Sequence, residues 1–322
     1  MTAQASSDNA GTAVITGATG GLGRALAVEM ANRPLADRPD LLLVGRAGKS
    51  LADVTETVRA AGATAYEVPC DLSRLSEVRA AAGVIKGMLS EGQVRPLHGL
   101  AANAGLSSID SRVASADGYE MTFAVNYLAH AELIGDLLGS FTAPARIVLV
   151  GSDTYYVNTM RRMMQVPAAE WRDPVELARP APADSKPSVQ TAGIAYSNSK
   201  LAIIYYAHEL QRRAPEGIHV IVFEPGWMPG TGLSRQQSPA LQRISRLMAH
   251  LPGISSPTRA APAFASVILD PKWSHLRDGA YVVLDKETDV QPFAKDRERE
   301  GRLWEATAEL LGSARSADSA MR

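Results

Sequence analysis

Thr16-Gly17-Ala18-Thr19-Gly20-Gly21-Leu22-Gly23 is the stretch that decides how this chain folds. The run before it, residues 13–16, is short and apolar, as a buried strand requires, and the run after it, residues 24–31, reads as a helix. Strand, glycine turn and helix in that order form a cradle for a pyrophosphate. Glycines allow a tight turn and a close backbone approach, and the helix start offers unpaired N–H groups and the positive end of its dipole. Gly17, Thr19, Gly20, Gly21, Leu22 and Gly23 are therefore candidate dinucleotide ligands rather than a plain tight turn.

Working outward, residues 41–45 form a second apolar strand that ends in Arg46. A carboxylate at this tip would chelate the ribose hydroxyls of NAD, whereas an arginine suits the extra 2′-phosphate, so NADP(H) is the expected cofactor. Arg24 and Lys49 either add to that phosphate site or are solvated charges at helix starts. A third strand, residues 65–68, closes on Cys70-Asp71-Leu72, where Asp71 either caps the next helix or contacts the adenine amino group. A fourth, residues 97–102, ends in Asn103-Ala104-Gly105, a small-residue turn against which a cofactor can lie. The next helix, residues 118–138, holds Asn126 in an apolar face. A buried amide must find partners, so Asn126 is a clamp on backbone or part of a proton path. The fifth strand, residues 146–150, delivers Gly151-Ser152 to the carboxyl edge, where open parallel sheets bind ligands. Strands alternating with helices predict an α/β fold with a Rossmann-type, doubly wound parallel sheet.

Tyr196-Ser197-Asn198-Ser199-Lys200 carries the chemistry. Residues four apart on a helix share a face, which places a phenol beside an ammonium. A neighbouring cation favours the phenolate and makes a tyrosine a better proton donor and acceptor at neutral pH. A pair of this kind passes a proton to or from a carbonyl oxygen.

Composition bounds the rest. With 322 residues, 46% hydrophobic and 21% charged, the chain has the material for one large domain. The expected division is a flexible start at residues 1–11, one domain over 12–311 and a fraying tail at 312–322. A net charge of -1 provides no basic field for nucleic acid. The lone Cys70 excludes a disulfide framework, the six histidines show no ligand spacing, and no metal is expected. Residues 1–11 lack the basic start and apolar run of a signal peptide, and no segment reaches the ~20 apolar residues of a membrane span, so no membrane and a cytosolic location are expected.

With the glycine turn, Asn103-Ala104-Gly105, Asn126, Ser152, Tyr196-Lys200 and Pro225-Gly226 in this order, the chain resembles the short-chain dehydrogenase/reductase family over nearly its whole length. The resemblance implies a triad of Ser152, Tyr196 and Lys200, with Asn126 as a fourth member that holds a relay water. Tyr196 would exchange the substrate proton, Lys200 would lower its pKa and bind the nicotinamide ribose, and Ser152 would orient the carbonyl. Pro225 and Gly226 would line the nicotinamide. Val125-Asn126-Tyr127-Leu128, residues 195–202 and Leu303-Trp304-Glu305-Ala306-Thr307 look like the retinol dehydrogenase and protochlorophyllide reductase branch. Two departures stand out. Gly230 occupies the place where many relatives have the threonine that meets the carboxamide, with Thr231 one position later, and Trp227 stands where protochlorophyllide reductases have a cysteine.

Relatives place the serine and tyrosine about a dozen residues apart, whereas residues 153–195 form a long insertion here. It forms a wall or lid over the substrate, or packs on itself or a second subunit. Its Tyr155, Tyr156, Met160, Met163, Met164 and Trp171 suit a bulky apolar ligand, as do Trp227 and Met228 in the substrate-binding loop at 227–255. Tyr155, Trp227 and Met228 are the candidate substrate residues. The expected function is NADP(H)-dependent interconversion of a ketone or aldehyde and an alcohol on a bulky apolar small molecule. The many alanines, and arginine in excess of lysine, look bacterial and point to secondary metabolism. Alternatives are reduction of a carbon-carbon double bond and non-catalytic NADP(H) sensing. A homodimer is a further possibility.

Overall fold

The computed structural model describes residues 10–158, 162, 167–228 and 255–320, with side chains through Ala314. Eight strands form one sheet in the order β3-β2-β1-β4-β5-β6-β7-β8. They are β1 (Thr12–Thr16), β2 (Asp40–Gly45), β3 (Ala65–Pro69), β4 (Leu97–Ala102), β5 (Phe141–Val150), β6 (Ile218–Glu224), β7 (Tyr281–Val283) and β8 (Lys286–Thr288). All pairs are parallel except β7 with β8. The central strands are apolar on both faces because helices cover both. On β1, Val14 faces one layer while Ala13 and Ile15 face the other.

One layer carries α1 (Gly21–Ala31), α2 (Lys49–Ala60) and α7 (Pro257–Leu269). The other carries α3 (Leu75–Ser90), α4, α6 (Val189–Arg213) and α8 (Arg297–Ala320). Helix α4 starts at Met121–Phe123, widens to a π-helical turn over Ala124–Leu128 and continues as Ala129–Leu137. The strand order reverses between β1 and β4. Their carboxyl ends therefore open a crevice, and the glycine turn follows β1 directly.

Within the insertion, α5 (Pro174–Leu177) is N-capped by Asp173, whose carboxylate accepts the Val175 N–H at 3.0 Å. The other Asp173 oxygen accepts from Arg302 Nε of α8 at 2.7 Å. Trp171 sets its ring edge-on to Tyr205 of α6, with centroids 4.8 Å apart. The insertion thus packs on its own chain at these points. Met160, Met163 and Met164, expected to serve a lid, lie outside the described residues.

The elements differ from expectation in several places, and β5 starts at Phe141 rather than at residue 146. Strand β8 was not predicted, because its Lys286, Glu287 and Thr288 are all exposed and carry no apolar signal. The last helix runs on through Ala320 rather than stopping before a fraying tail at 312. Its middle is pinned to the domain, for Trp304 stacks on Tyr206 at 5.6 Å and Tyr119 Oη donates to the Leu310 carbonyl at 2.7 Å. No described helix is long and apolar enough to cross a membrane.

Candidate active site

The glycine turn is built so that side chains cannot enter it. Gly17 has a φ of +67°, and a Cβ there would lie 2.9 Å from Ala104 Cα. A Cβ on Gly23 would lie 2.3 Å from the Gly17 carbonyl oxygen, so the helix can seat against the turn only with glycine at that place. Gly20 is the N-cap of α1 and no side chain caps the helix. Its first turn presents backbone N–H groups at the sheet edge, where an anion would meet them. Leu22 supplies backbone only, since its side chain is buried in the layer below. Thr19 lies within the turn.

The turn after β4 is tied to the end of β1. Asn103 Nδ2 donates to the Thr16 carbonyl at 2.8 Å, and the Asn103 and Ala104 amides both donate to Thr16 Oγ1, at 2.9 and 3.0 Å. Gly105 continues that turn exposed. Arg46 follows β2 directly and is exposed beside the crevice, as a 2′-phosphate contact requires. Lys49 instead holds Asp53 at 2.6 Å, within α2. The Asp71 carboxylate closes a local turn, accepting from the Ser73 amide at 3.0 Å and the Ser73 hydroxyl at 2.8 Å, and the N-cap residue of α3 makes no side-chain cap bond. Leu72 is buried in the core. Pro225 is buried, Gly226 half-buried, and Thr231 lies outside the described residues.

Helix α6 carries Tyr196 and Lys200. Lys200 is fully buried, and its Nζ donates to the Val150 carbonyl at 2.8 Å, two residues before Ser152. The same Nζ stands 5.5 Å from the ring centroid of half-buried Tyr196. The bond to Val150 therefore locks the tyrosine-bearing helix against the carboxyl end of β5. Burial lowers the Lys200 pKa to about 8. Ser152 caps a short turn, Asp153–Tyr155, by accepting the Thr154 N–H at 3.3 Å. That bond uses an oxygen lone pair and leaves the hydroxyl proton to donate.

The Asn126 side chain clamps a loop and α6. Its Oδ1 accepts the Leu106 N–H at 2.8 Å, and its Nδ2 donates to the Leu106 carbonyl at 2.9 Å and to Ser199 Oγ at 3.1 Å. The π-helical turn around it brings a helix residue into bonding distance of both a loop and α6. The three residues between Tyr196 and Lys200 are all engaged. Ser197 Oγ donates to the Pro167 carbonyl at 2.8 Å, Asn198 Oδ1 accepts the Glu170 N–H at 2.9 Å, and Ser199 Oγ donates to the Tyr196 carbonyl at 2.7 Å. The insertion is thereby fastened to α6 itself. Sequence reasoning missed these roles because the partners lie far away in the chain or are backbone atoms.

Tyr155, expected among the substrate residues, is buried in packing. It is 3% exposed, its hydroxyl accepts the Gln291 N–H at 3.0 Å, and its ring packs on Tyr156, Tyr281 and Phe293. Beside it, Tyr281 Oη donates to the buried Glu224 carboxylate at 2.5 Å, just ahead of Pro225. Trp227 is 37% exposed and Met228 packs against the layer of α1 and α7. Ser255 N donates to the Trp227 carbonyl at 3.0 Å, which brings the two ends of the 227–255 loop together.

A family model described as short chain dehydrogenase matches residues 11–163. A polyprenol dehydrogenase of Mus musculus is 28% identical over 312 residues, covering 94% of this chain and 84% of the relative. A Streptomyces sp. (strain C5) protein named as a daunorubicin C-13 ketoreductase, DnrU, is 30% identical over 302 residues, covering 94% and 92%. Among solved structures, a short chain dehydrogenase of Burkholderia cenocepacia J2315 in complex with NADP superposes with a TM-score of 0.61 at 19% identity, covering 87% of this chain and 98% of that one.

Proposed function

Because the chain belongs to the short-chain dehydrogenase family, we propose that it is an NADP(H)-dependent oxidoreductase that interconverts a ketone or aldehyde and an alcohol on a bulky apolar molecule. The observation that carries this reading is the buried Lys200 ammonium, held at the end of β5 beside Ser152 and 5.5 Å from the Tyr196 ring. A charge kept out of water at such cost marks a site of chemistry more often than a structural ion.

The residues fit a dinucleotide phosphate. Helix α1 has no side-chain cap, Gly17 and Gly23 leave no room for a Cβ, and Arg46 stands exposed at the tip of β2. Gly17 and Gly20 to Gly23 would hold the pyrophosphate, Arg46 the 2′-phosphate, Asn103 to Gly105 the adenosine side of the crevice, and Lys200 the nicotinamide ribose. Bound NADPH supplies a hydride to the carbonyl carbon, and NADP+ accepts one in the reverse direction. In reduction, the Ser152 hydroxyl donates to the carbonyl oxygen and fixes its position. Tyr196 then delivers its phenolic proton to that oxygen, giving the alcohol, while the Lys200 charge stabilises the phenolate left behind. Asn126, clamped on Leu106 and Ser199, holds α4 and α6 in register during the transfer.

A large apolar substrate is supported by Trp227 and Met228 beside Pro225-Gly226, and by relatives named for polyprenol and daunorubicin. A single chain as the working unit is supported by α8, which lies across α6 and meets α4 through Thr307 and Tyr127. The test is NADPH oxidation, followed by absorbance, against bulky apolar ketones, aldehydes and enones. Turnover of a ketone or aldehyde with the alcohol as product is expected. A saturated product from an enone with its carbonyl intact would replace carbonyl chemistry with double-bond reduction. Tight NADPH binding with no turnover of any compound would favour the sensing alternative.

Cofactor choice has its own test. Arg46→Asp replaces a cation by a carboxylate suited to the ribose hydroxyls, so kcat/KM for NADPH is expected to fall at least about tenfold relative to NADH. An unchanged ratio would show that Arg46 is only a surface charge.

A further inference from the structure

His130 lies in α4 with 2% of its surface exposed, and no reacting role has been given to it above. Its two ring nitrogens meet two parts of the site that are 110 residues apart in sequence, Thr16 and Asn126. Nδ1 is 3.0 Å from the Asn126 carbonyl oxygen, and Nε2 is 2.9 Å from Thr16 Oγ1. The carbonyl can only accept, so Nδ1 carries the proton. Nε2 is then an acceptor in the neutral ring.

Thr16 agrees with that assignment. Its Oγ1 receives the amides of Asn103 and Ala104, at 2.9 and 3.0 Å, which fills both acceptor positions. One proton remains, and His130 Nε2 at 2.9 Å is nearer than the Ala101 carbonyl at 3.3 Å. The bonds that link Asn103, Thr16, His130 and Asn126 are then all consistent with one tautomer. Burial, with a smaller contribution from the Lys200 charge and against the bond to Asn126, lowers the His130 pKa to about 4, so the ring stays neutral at working pH.

We propose that His130 is a positioning residue: it joins the end of β1, from which the glycine turn springs, to the backbone of Asn126, and so holds cofactor cradle and catalytic helix pair in one register. The inference rests on the oxidoreductase reading above. One nitrogen serves the cradle and the other meets the backbone carbonyl of Asn126, the residue whose side-chain amide braces α6 through Ser199. The two functions are therefore separable by substitution. His130→Asn can keep an N–H donor near the Nδ1 position while losing Thr16, and His130→Gln can reach Thr16 with an acceptor while losing the Asn126 carbonyl. His130→Phe keeps the ring and loses both bonds.

The experiment measures NADPH dissociation constants by fluorescence and kcat at saturating NADPH for the full-length protein and the three variants. It also includes the ¹⁵N spectrum of the wild-type imidazoles, with His130→Asn identifying the signal. The Nδ1–H tautomer is expected for His130. His130→Asn is expected to weaken NADPH about fivefold with kcat nearly kept, His130→Gln to lower kcat about tenfold with affinity nearly kept, and His130→Phe to do both. An Nε2–H tautomer would overturn the proposal. So would folded variants whose affinity and kcat stay within twofold of wild type, because His130 would then be packing only. If His130→Phe does not fold, the other two variants and the spectrum decide. If the wild type reduces no compound, the oxidoreductase reading fails while NADPH affinity and the tautomer still test this one.

Discussion

Lys200→Met is expected to abolish turnover while leaving the protein as stable as wild type or more so at pH 7. The ammonium is fully buried with the Val150 carbonyl as its bonding partner, and burial lowers its pKa from 10.5 to about 8. Each unit of such a shift corresponds to ~1.4 kcal/mol, so the charged lysine costs the fold on the order of 3 kcal/mol. Between pH 8 and 10.5 the unfolded chain binds the proton that the folded chain has released, so stability rises with pH across that window. Below about 8 the full penalty is present. Methionine matches the length of the lysine stem and removes the charge, but leaves the Val150 carbonyl without its donor, at a cost of ~1–3 kcal/mol. The two terms leave a net gain of ~0–2 kcal/mol at pH 7. In urea melts the advantage of the variant should therefore be larger at pH 7 than at pH 10, where the wild-type lysine is mostly neutral in the folded state. Turnover should fall by at least about 10²-fold, since the phenolate loses its counter-charge. A variant destabilised by more than ~2 kcal/mol would show that Lys200 is a structural anchor rather than a strained catalytic group.

The parts of this fold that were legible in sequence are those whose signal is local. The glycine turn, the apolar strands β1, β2 and β4, and Tyr196 with Lys200 could be read because strand burial and helix spacing are written in consecutive residues. Asn126 could be singled out as a buried amide but not resolved, because its partners Leu106 and Ser199 are brought to it by tertiary packing. The burial of Tyr155 was illegible for a related reason. An aromatic residue beside Ser152 can face the substrate or the core, and the choice was made by Gln291 and Phe293, far along the chain. His130 stands four residues after Asn126, a spacing visible in the sequence, yet its meaning depends on Thr16, which only the sheet order places beside it. Strand β8 and the extension of α8 were invisible because their residues are polar or small and carry no apolar pattern.

Tyr196→Phe is expected to leave NADPH binding nearly intact and to remove turnover. The substitution deletes one oxygen and keeps the ring, so the contact with the Lys200 ammonium at 5.5 Å and the packing of half-buried Tyr196 are preserved. The bonds that hold the surrounding helix involve the Tyr196 carbonyl and the side chains of Ser197, Asn198 and Ser199, none of which the change touches. Stability should accordingly move by less than about 1 kcal/mol. What is lost is the proton delivered to the substrate oxygen, and a positioned acid of this kind is worth about 10²–10⁴ in rate. The kcat should fall by that factor with the NADPH dissociation constant within about twofold. The paired measurement separates the readings. A catalyst shows equal binding and unequal turnover between wild type and variant, whereas an NADP(H) sensor shows equal binding and no turnover in either. Retention of kcat within tenfold would mean that another group supplies the proton, and Ser152, whose hydroxyl proton is left free by its bond to the Thr154 amide, would be the next residue to replace.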